Sequence, residues 1–201
     1  MGHEMRNLIR CIASLLIAGP AACAFAQSGA QQTTQPTMAK DLIDCPKVYN
    51  EVGPVAIKLP YWEFDQTERG WRALGNCHLE QAQLIKRYVR RQEYEQRGVR
   101  WHLAQTLAML GDDAAAAEQA LLSINPEEAT DTPGFSWNTY VLATVAFLRK
   151  DRAAFDVQYE AHRRATEADA ENAMNLKVLE RLAECFDKPY RKAYGRCQPD
   201  D

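Results

Sequence analysis

Six cysteines, four histidines and a scatter of glutamates are the residues of this 201-residue chain with chemistry to offer. Cys11 and Cys23 fall in a segment with the marks of an export signal. Arg6 and Arg10 precede the apolar run from Cys11 to Gly19, and small residues then lead to Ala24-Phe25-Ala26. Cleavage is expected between Ala26 and Gln27, which makes 1–26 an address and not part of the fold. The apolar run is too short to span a hydrocarbon core of ~30 Å. A lipoprotein signal would acylate Cys23, but Pro20 stands where such signals carry a leucine-type residue.

Cleavage leaves Cys45, Cys77, Cys185 and Cys197, an even count in an exported chain, and two disulfides are expected. Three connectivities are open. The short spacing of Cys185 and Cys197 across Asp187-Lys188-Pro189 favours closing that loop, which leaves Cys45 to pair with Cys77. Each bridge is worth roughly 2–4 kcal/mol. A metal site is the competing use of these thiols, yet there is no Cys-x-x-Cys and no histidine at ligand spacing. No metal and no cofactor is expected.

The histidines left after cleavage, His78, His102 and His162, each stand singly on a predicted helix and read as solvated or capping residues. Cys77 beside His78 suggests a nucleophile pair only until Cys77 is oxidised, and no third group orients the ring. Glu160 and Glu180 lie near apolar stripes, where burial raises a carboxyl pKa as acid catalysis requires. They are the only residues to nominate for a peptidoglycan-active enzyme. A helix-surface glutamate is the commoner case. Phosphate loops, serine elbows and dinucleotide fingerprints are missing, so the chain reads as non-enzymatic with no catalytic residue.

Charge excludes further classes. The net charge of −3 is too balanced for a nucleic-acid binder. The run from Lys86 to Arg100 holds six cations against Glu93 and Glu95, and on an acidic exported protein it reads as a solvated helix face.

The elements that position these residues are helices. Residues 27–40 are polar and aperiodic, a flexible arm. From Asp41 to Pro60 the prolines and Gly53 predict an irregular lead-in with at most one short strand. A short helix is predicted around Thr67 to Leu74. The stripe Leu79, Ala82, Ile85, Val89, widened by Leu84 and Tyr88, predicts an amphipathic helix. Trp101 to Leu110 is the next, stopped by Gly111, and Asp112 or Asp113 caps Ala114 to Ile124. Ser136 is placed to cap Trp137 to Leu148, apolar at nine of twelve positions and therefore buried nearly all round. Asp151 caps a helix striped by Phe155, Tyr159 and His162. A last helix runs from about Asn172 to Phe186, and Pro189 suits the start of a closing turn.

Sliding the sequence by 39 lays Trp101 on Tyr140, Ala104 on Ala143 and Asp112 on Asp151. The unit is a helix, a two-residue stop and cap, and a second helix. Trp101-His-Leu-Ala-Gln-Thr-Leu-Ala-Met-Leu-Gly-Asp, followed by Ala116, Ala120 and Pro126, resembles a tetratricopeptide repeat. The resemblance spans roughly Gln66 to Arg164 and is degenerate, since Arg149-Lys150-Asp151 replaces the Gly-Asp turn. The ending Cys185 to Cys197 resembles that of exported bacterial proteins with such repeats, which implies no activity.

That resemblance implies an all-α fold, antiparallel helical hairpins stacked as a short solenoid. Its irregular lead-in would cover 41–65, its repeat pairs 66–164, and its C-terminal helix with a disulfide-closed cap 167–201. It further implies that first helices line a groove, so that Trp101, Gln105, Trp137, Tyr140, Thr144 and Phe147 include partner-binding residues. The expected function is protein or peptide binding in the bacterial envelope, periplasmic or secreted, with no nucleic acid and no transmembrane segment in the mature chain. An inhibitor or immunity protein that blocks an enzyme through the loop from Pro126 to Gly134 is the alternative, ahead of the enzyme reading.

Overall fold

In the computed structural model the described residues are 43–91, 96–128 and 134–197, which lie in one compact unit. The export signal, the arm, Glu93 and Glu95, and most of the loop after Pro126 lie outside them. Every regular element among the described residues is helical. In chain order these are α1 (Cys45–Ala56), α2 (Tyr61–Gln66), a 3-10 turn (Trp71–Leu74), α3 (His78–Arg91) and α4 (Arg97–Met109). Then follow α5 (Asp113–Leu121), α6 (Trp137–Leu148), α7 (Arg152–Ala168), a second 3-10 turn (Ala170–Asn172), α8 (Ala173–Glu184) and α9 (Tyr190–Tyr194). From α3 to α7 each helix packs against the next, while α8 packs on α6 and α7, and α9 on α8 and α4.

α1 corrects the irregular reading of the lead-in. Of the prolines read there as breakers, Pro46 lies in the first turn, whose amides have no intrahelical partner. Pro54 lies inside the helix close to its end, where it removes the one bond its amide would give to the Asn50 carbonyl. The Asp44 carboxylate accepts from the Lys47 amide, 3.1 Å away. Cys45, Val48, Tyr49, Val52 and Ala56 then recur at helical spacing against the core.

The helix expected around Thr67 is also corrected. Thr67 itself is extended, its hydroxyl bonded to the Glu63 carbonyl at 2.7 Å, so α2 ends before it. Only the turn Trp71–Leu74 follows. α2 is held from below by Tyr88 of α3, which stacks on Phe64 with ring centres 3.6 Å apart and donates its hydroxyl to the Leu59 carbonyl. The α3 stripe is rotated from the expected one. Gln81, Ala82, Leu84, Ile85 and Tyr88 are buried, whereas Leu79 in the first turn is 54% exposed.

The two helix-to-helix turns agree with the sequence reading in detail. Gly111 takes φ +81° and Asp112 accepts from the Ala115 amide. Lys150 takes φ +56° and Asp151 accepts from the Ala154 amide. The amide of Asp112 bonds the Leu107 carbonyl at 3.0 Å and that of Asp151 bonds the Ala146 carbonyl at 2.9 Å. Both are the same closure of a helix C-terminus by a left-handed residue. Ser136 does occupy the cap position of α6, but its hydroxyl meets the Thr139 hydroxyl at 2.8 Å and not a backbone amide.

α6 has the bounds read from sequence and is the buried centre, with Tyr140, Val141 and Ala143 to Leu148 all inside. Cys45 and Cys77 form a disulfide that ties α1 to the start of α3, and Cys185 and Cys197 have Cα atoms 5.9 Å apart, within disulfide reach. No helix among the described residues is long and apolar enough to cross a membrane.

Candidate functional site

α2, α4, α6, α8 and α9 leave between them an open cleft of about 400 Å³. α4 supplies Trp101, His102 and Gln105, and α6 supplies Trp137 and Tyr140. Tyr61 and Asp65 come from α2, Met174, Asn175 and Val178 from α8, and Tyr194 from α9. Four of the six residues expected to meet a partner therefore stand together. The other two do not line it. Thr144 is buried, its hydroxyl bonded to the Tyr140 carbonyl, and Phe147 is buried edge-on against Phe186.

The aromatic wall is built by inclined rings. Trp101 and Trp137 meet edge to face at 5.2 Å, Trp101 and Tyr140 at 4.9 Å with planes at 58°, and Trp137 and Tyr140 at 6.0 Å. Trp137 is fixed by its indole N–H, which donates to the Ser123 carbonyl at 2.8 Å. Trp101 and Tyr140 are almost wholly covered and form the floor, while Trp137 is half-buried. Burial pushes the Tyr140 phenol well above its usual range, with Tyr190 and Tyr194 adding to the effect, so the ring stays neutral. Met174 at the rim is 80% exposed.

Beside this wall lies a pair that sequence reasoning missed. His102 Nδ1 is 2.7 Å from Asp65 Oδ1, and the Asp65 side chain has no exposed surface. Asp65 also accepts from the Gln66 amide at 2.5 Å and the Trp71 indole at 3.4 Å. Burial alone would raise the Asp65 carboxyl. The hydrogen bonds from His102, Gln66 and Trp71 together outweigh it and hold the group below its ordinary value. Arg72 Nη2 lies 3.4 Å from His102 Nε2, and since a guanidinium only donates, Nε2 accepts. The same guanidinium covers the Trp71 ring and its Nε donates to the Asp65 carbonyl. The imidazole is thus clamped at both nitrogens. It is held in place by Asp65 and Arg72, and the nitrogen a general base would use is already engaged. Gly98 makes room for this corner: a Cβ there would fall 2.6 Å from the Tyr61 hydroxyl.

The other sequence candidates fall elsewhere. His162 is buried, not solvated, with Nε2 3.2 Å from the Asn172 carbonyl and Nδ1 2.8 Å from the Thr139 hydroxyl. His102 is likewise no free surface group. His78 meets the Gln81 side chain at 3.0 Å near the start of α3. Glu160 is half-buried and ion-paired with Arg163, and Glu180 is exposed, so neither has the buried setting that acid catalysis needs. Cys45, Cys77 and Glu80 converge as metal ligands would, but both sulfurs are committed to the disulfide. No signal in the sequence marks Asp65, which sits in Tyr61-Trp-Glu-Phe-Asp-Gln66 like any helix-surface acid.

No family model, no curated protein and no solved structure matches this chain.

Proposed function

We propose that this chain is a non-enzymatic, exported helical-repeat protein that binds another protein or peptide in the bacterial cell envelope, with the aromatic cleft as its working surface. The observation that carries the reading is the cleft itself. It gathers Trp101, Gln105, Trp137 and Tyr140 on a rigid floor, under a rim where Met174 stands open to solvent. Aromatic anchors beside side-chain amides are what a peptide segment needs, rings for an apolar side chain and amides for the peptide bond. Two further observations support parts of the proposal. The closures at Gly111 and Lys150 repeat with the sequence offset of the tetratricopeptide-like unit. The Cys45–Cys77 disulfide is compatible with a chain made for an oxidising compartment.

Immobilised protein exposed to an envelope extract tests the reading, with Met174→Glu and Val178→Glu as comparators. Both residues line the cleft, and neither is one of the two floor rings, Trp101 and Tyr140. Capture by the parent protein and its loss in both variants, with unfolding midpoints unchanged, is the expected result. Equal capture by the variants overturns it.

A further inference from the structure

We propose that His162 is a proton-operated latch on the cleft: on acidification it releases the start of α8 from the start of α6, and so opens the wall that carries Trp137, Met174 and Asn175. This rests on the cleft being the working surface and names how that surface is regulated.

From Arg163 to Val178, Asn172 is the only buried residue. Met174 is open to solvent, Asn175 and Val178 are half-buried, and the first buried side chain of α8 is Leu179. The joint that fixes the first half of α8 is therefore Asn172, just before it. Its Oδ1 accepts from the Ser136 amide at 2.7 Å, and its Nδ2 lies 3.1 to 3.3 Å from the carbonyls of Gly134, Asp169 and Ala165. Ser136 precedes Trp137. One side chain thus ties the start of α6 to the start of α8, and with them two sides of the cleft.

His162 closes this joint from α7, with no exposed surface of its own. The Asn172 carbonyl only accepts, so Nε2 holds the single proton of the neutral ring and Nδ1 accepts from the Thr139 hydroxyl. A second proton, on Nδ1, reverses the bond to Thr139. The hydroxyl must then turn its own proton toward Ser136, whose carbonyl and hydroxyl oxygens lie at 3.2 and 2.8 Å. The cap of α6 is rearranged as a charge enters the joint.

Among the described residues no charge is placed to balance it. α6 has no charged residue, and its Tyr140, with ring centre 6.0 Å from the imidazole, is a phenol that burial keeps neutral. The connector brings Asp169, bonded to the Glu171 amide, and Glu171, which is exposed. α7 brings Arg163, paired with Glu160 and Glu167, and the exposed Arg164, while Lys177 of α8 is also exposed. None of these charges contributes to the lowered His162 pKa, which burial sets against partial compensation by the backbone at Asn172 and Ser136. The imidazolium is favoured only once the ring reaches water, and the connector with the first half of α8 is the segment least anchored against opening. Because the folded pKa lies below 6.5, the open form grows as pH falls below that value.

Hydrogen exchange on the full chain at pH 7.5 and 5.0, expressed as protection so that the intrinsic pH dependence cancels, tests this. Protection at the amides of Ser136, Asn172 and Leu176 to Val178 should fall at pH 5.0, by at most about thirtyfold, the limit set by an ordinary histidine in the open form. Protection in α5 and in the second half of α6 should hold. His162→Gln keeps a donor for the Asn172 carbonyl and an acceptor for Thr139 but cannot titrate, so its protection should be the same at both pH values. A pH-independent map of the parent, a loss spread evenly over all helices, or the same loss in His162→Gln overturns the latch. The parent decides even if the variant fails to fold: by NMR the Trp137 indole N–H signal should move with the titration of the His162 ring, and movement with His78 or His102 instead overturns it. No partner enters these readings. Capture that is unaffected by Met174→Glu at pH 7.5 would therefore remove the cleft as the working surface and leave the latch to be judged by exchange alone.

Discussion

Gly111 and Lys150 hold the same place in two helix closures and both take the left-handed backbone, at φ +81° and +56°. Glycine enters that region freely, whereas a residue with a Cβ is strained there by roughly 1–2 kcal/mol. Lys150 tolerates it because its side chain is in use. Its ammonium donates to the carbonyls of Phe186 and Lys188 at 2.8 and 2.6 Å and lies 3.9 Å from the Phe147 ring centre. Both carbonyls lie in the turn that follows α8, where the ammonium satisfies backbone acceptors.

Lys150→Ala should therefore lose the ammonium contacts and keep the strain, while Lys150→Gly loses the contacts and relieves it. We expect the glycine variant to be the more stable of the two by about 1 kcal/mol in urea unfolding. At Gly111 nothing lies within 4 Å of the position a Cβ would take. Gly111→Ala should then cost about 1 kcal/mol from backbone conformation alone. Equal stability of the two Lys150 variants would show that the turn carries no strain.

How far the sequence was legible follows from which interactions are local. The bounds of α6 were readable from Ser136-Trp137 to Leu148 because nearly every side is apolar. The closures were readable because Gly111, Asp112 and Asp151 act within one turn. The sequence departure at Arg149-Lys150 hid the second closure only in part, since its meaning depends on the distant carbonyls of Phe186 and Lys188. α1 was missed because Pro46 and Pro54 were weighed as breakers without regard to their place in the first and last turns. The half of the cleft on α4 and α6 followed from the repeat pattern. The half on α2, α8 and α9 did not, because Asp65 meets His102, and Tyr194 reaches the opening, only through tertiary packing.

Asp65 gives an acid-side dependence. Its folded pKa lies below the ordinary 3.8, so the stabilisation it provides is complete above that value and is lost as pH falls through it. Asp65→Ala strips a buried partner from His102, Gln66 and Trp71 and should destabilise by about 3 kcal/mol at neutral pH. The gap between parent and variant should narrow when unfolding is followed downward from pH 5. A gap independent of pH would mean that the carboxylate charge contributes nothing.

His162 gives a second dependence at higher pH. Burial pushes its pKa below 6.5, and hydrogen bonds to the backbone at Asn172 and Ser136 offset this only in part. The unfolded chain then binds the proton more readily, so this contribution is whole above pH 6.5 and declines as pH falls below it. His162→Gln should flatten the stability profile just below pH 6.5 even though it lowers stability overall. An unchanged slope in the variant would place the titration elsewhere.

The Cys45–Cys77 bridge joins positions 32 residues apart and anchors the only helix that precedes α2 among the described residues. α1 carries a proline in its last turn and has Glu51, Pro54 and Val55 exposed, so little besides the bridge and one apolar stripe holds it. In the chain-entropy account a closed loop of this size is worth about 3.7 kcal/mol. The pair Cys45→Ser and Cys77→Ser should lower stability by about that amount, and hydrogen exchange should show α1 losing protection before α4 and α6. The Tyr49 hydroxyl, which accepts from Arg87 at 2.8 Å, reports the same event, because detachment of α1 breaks that contact while α3 stays folded. Uniform loss of protection across α1, α4 and α6 would instead make the bridge part of one cooperative unit.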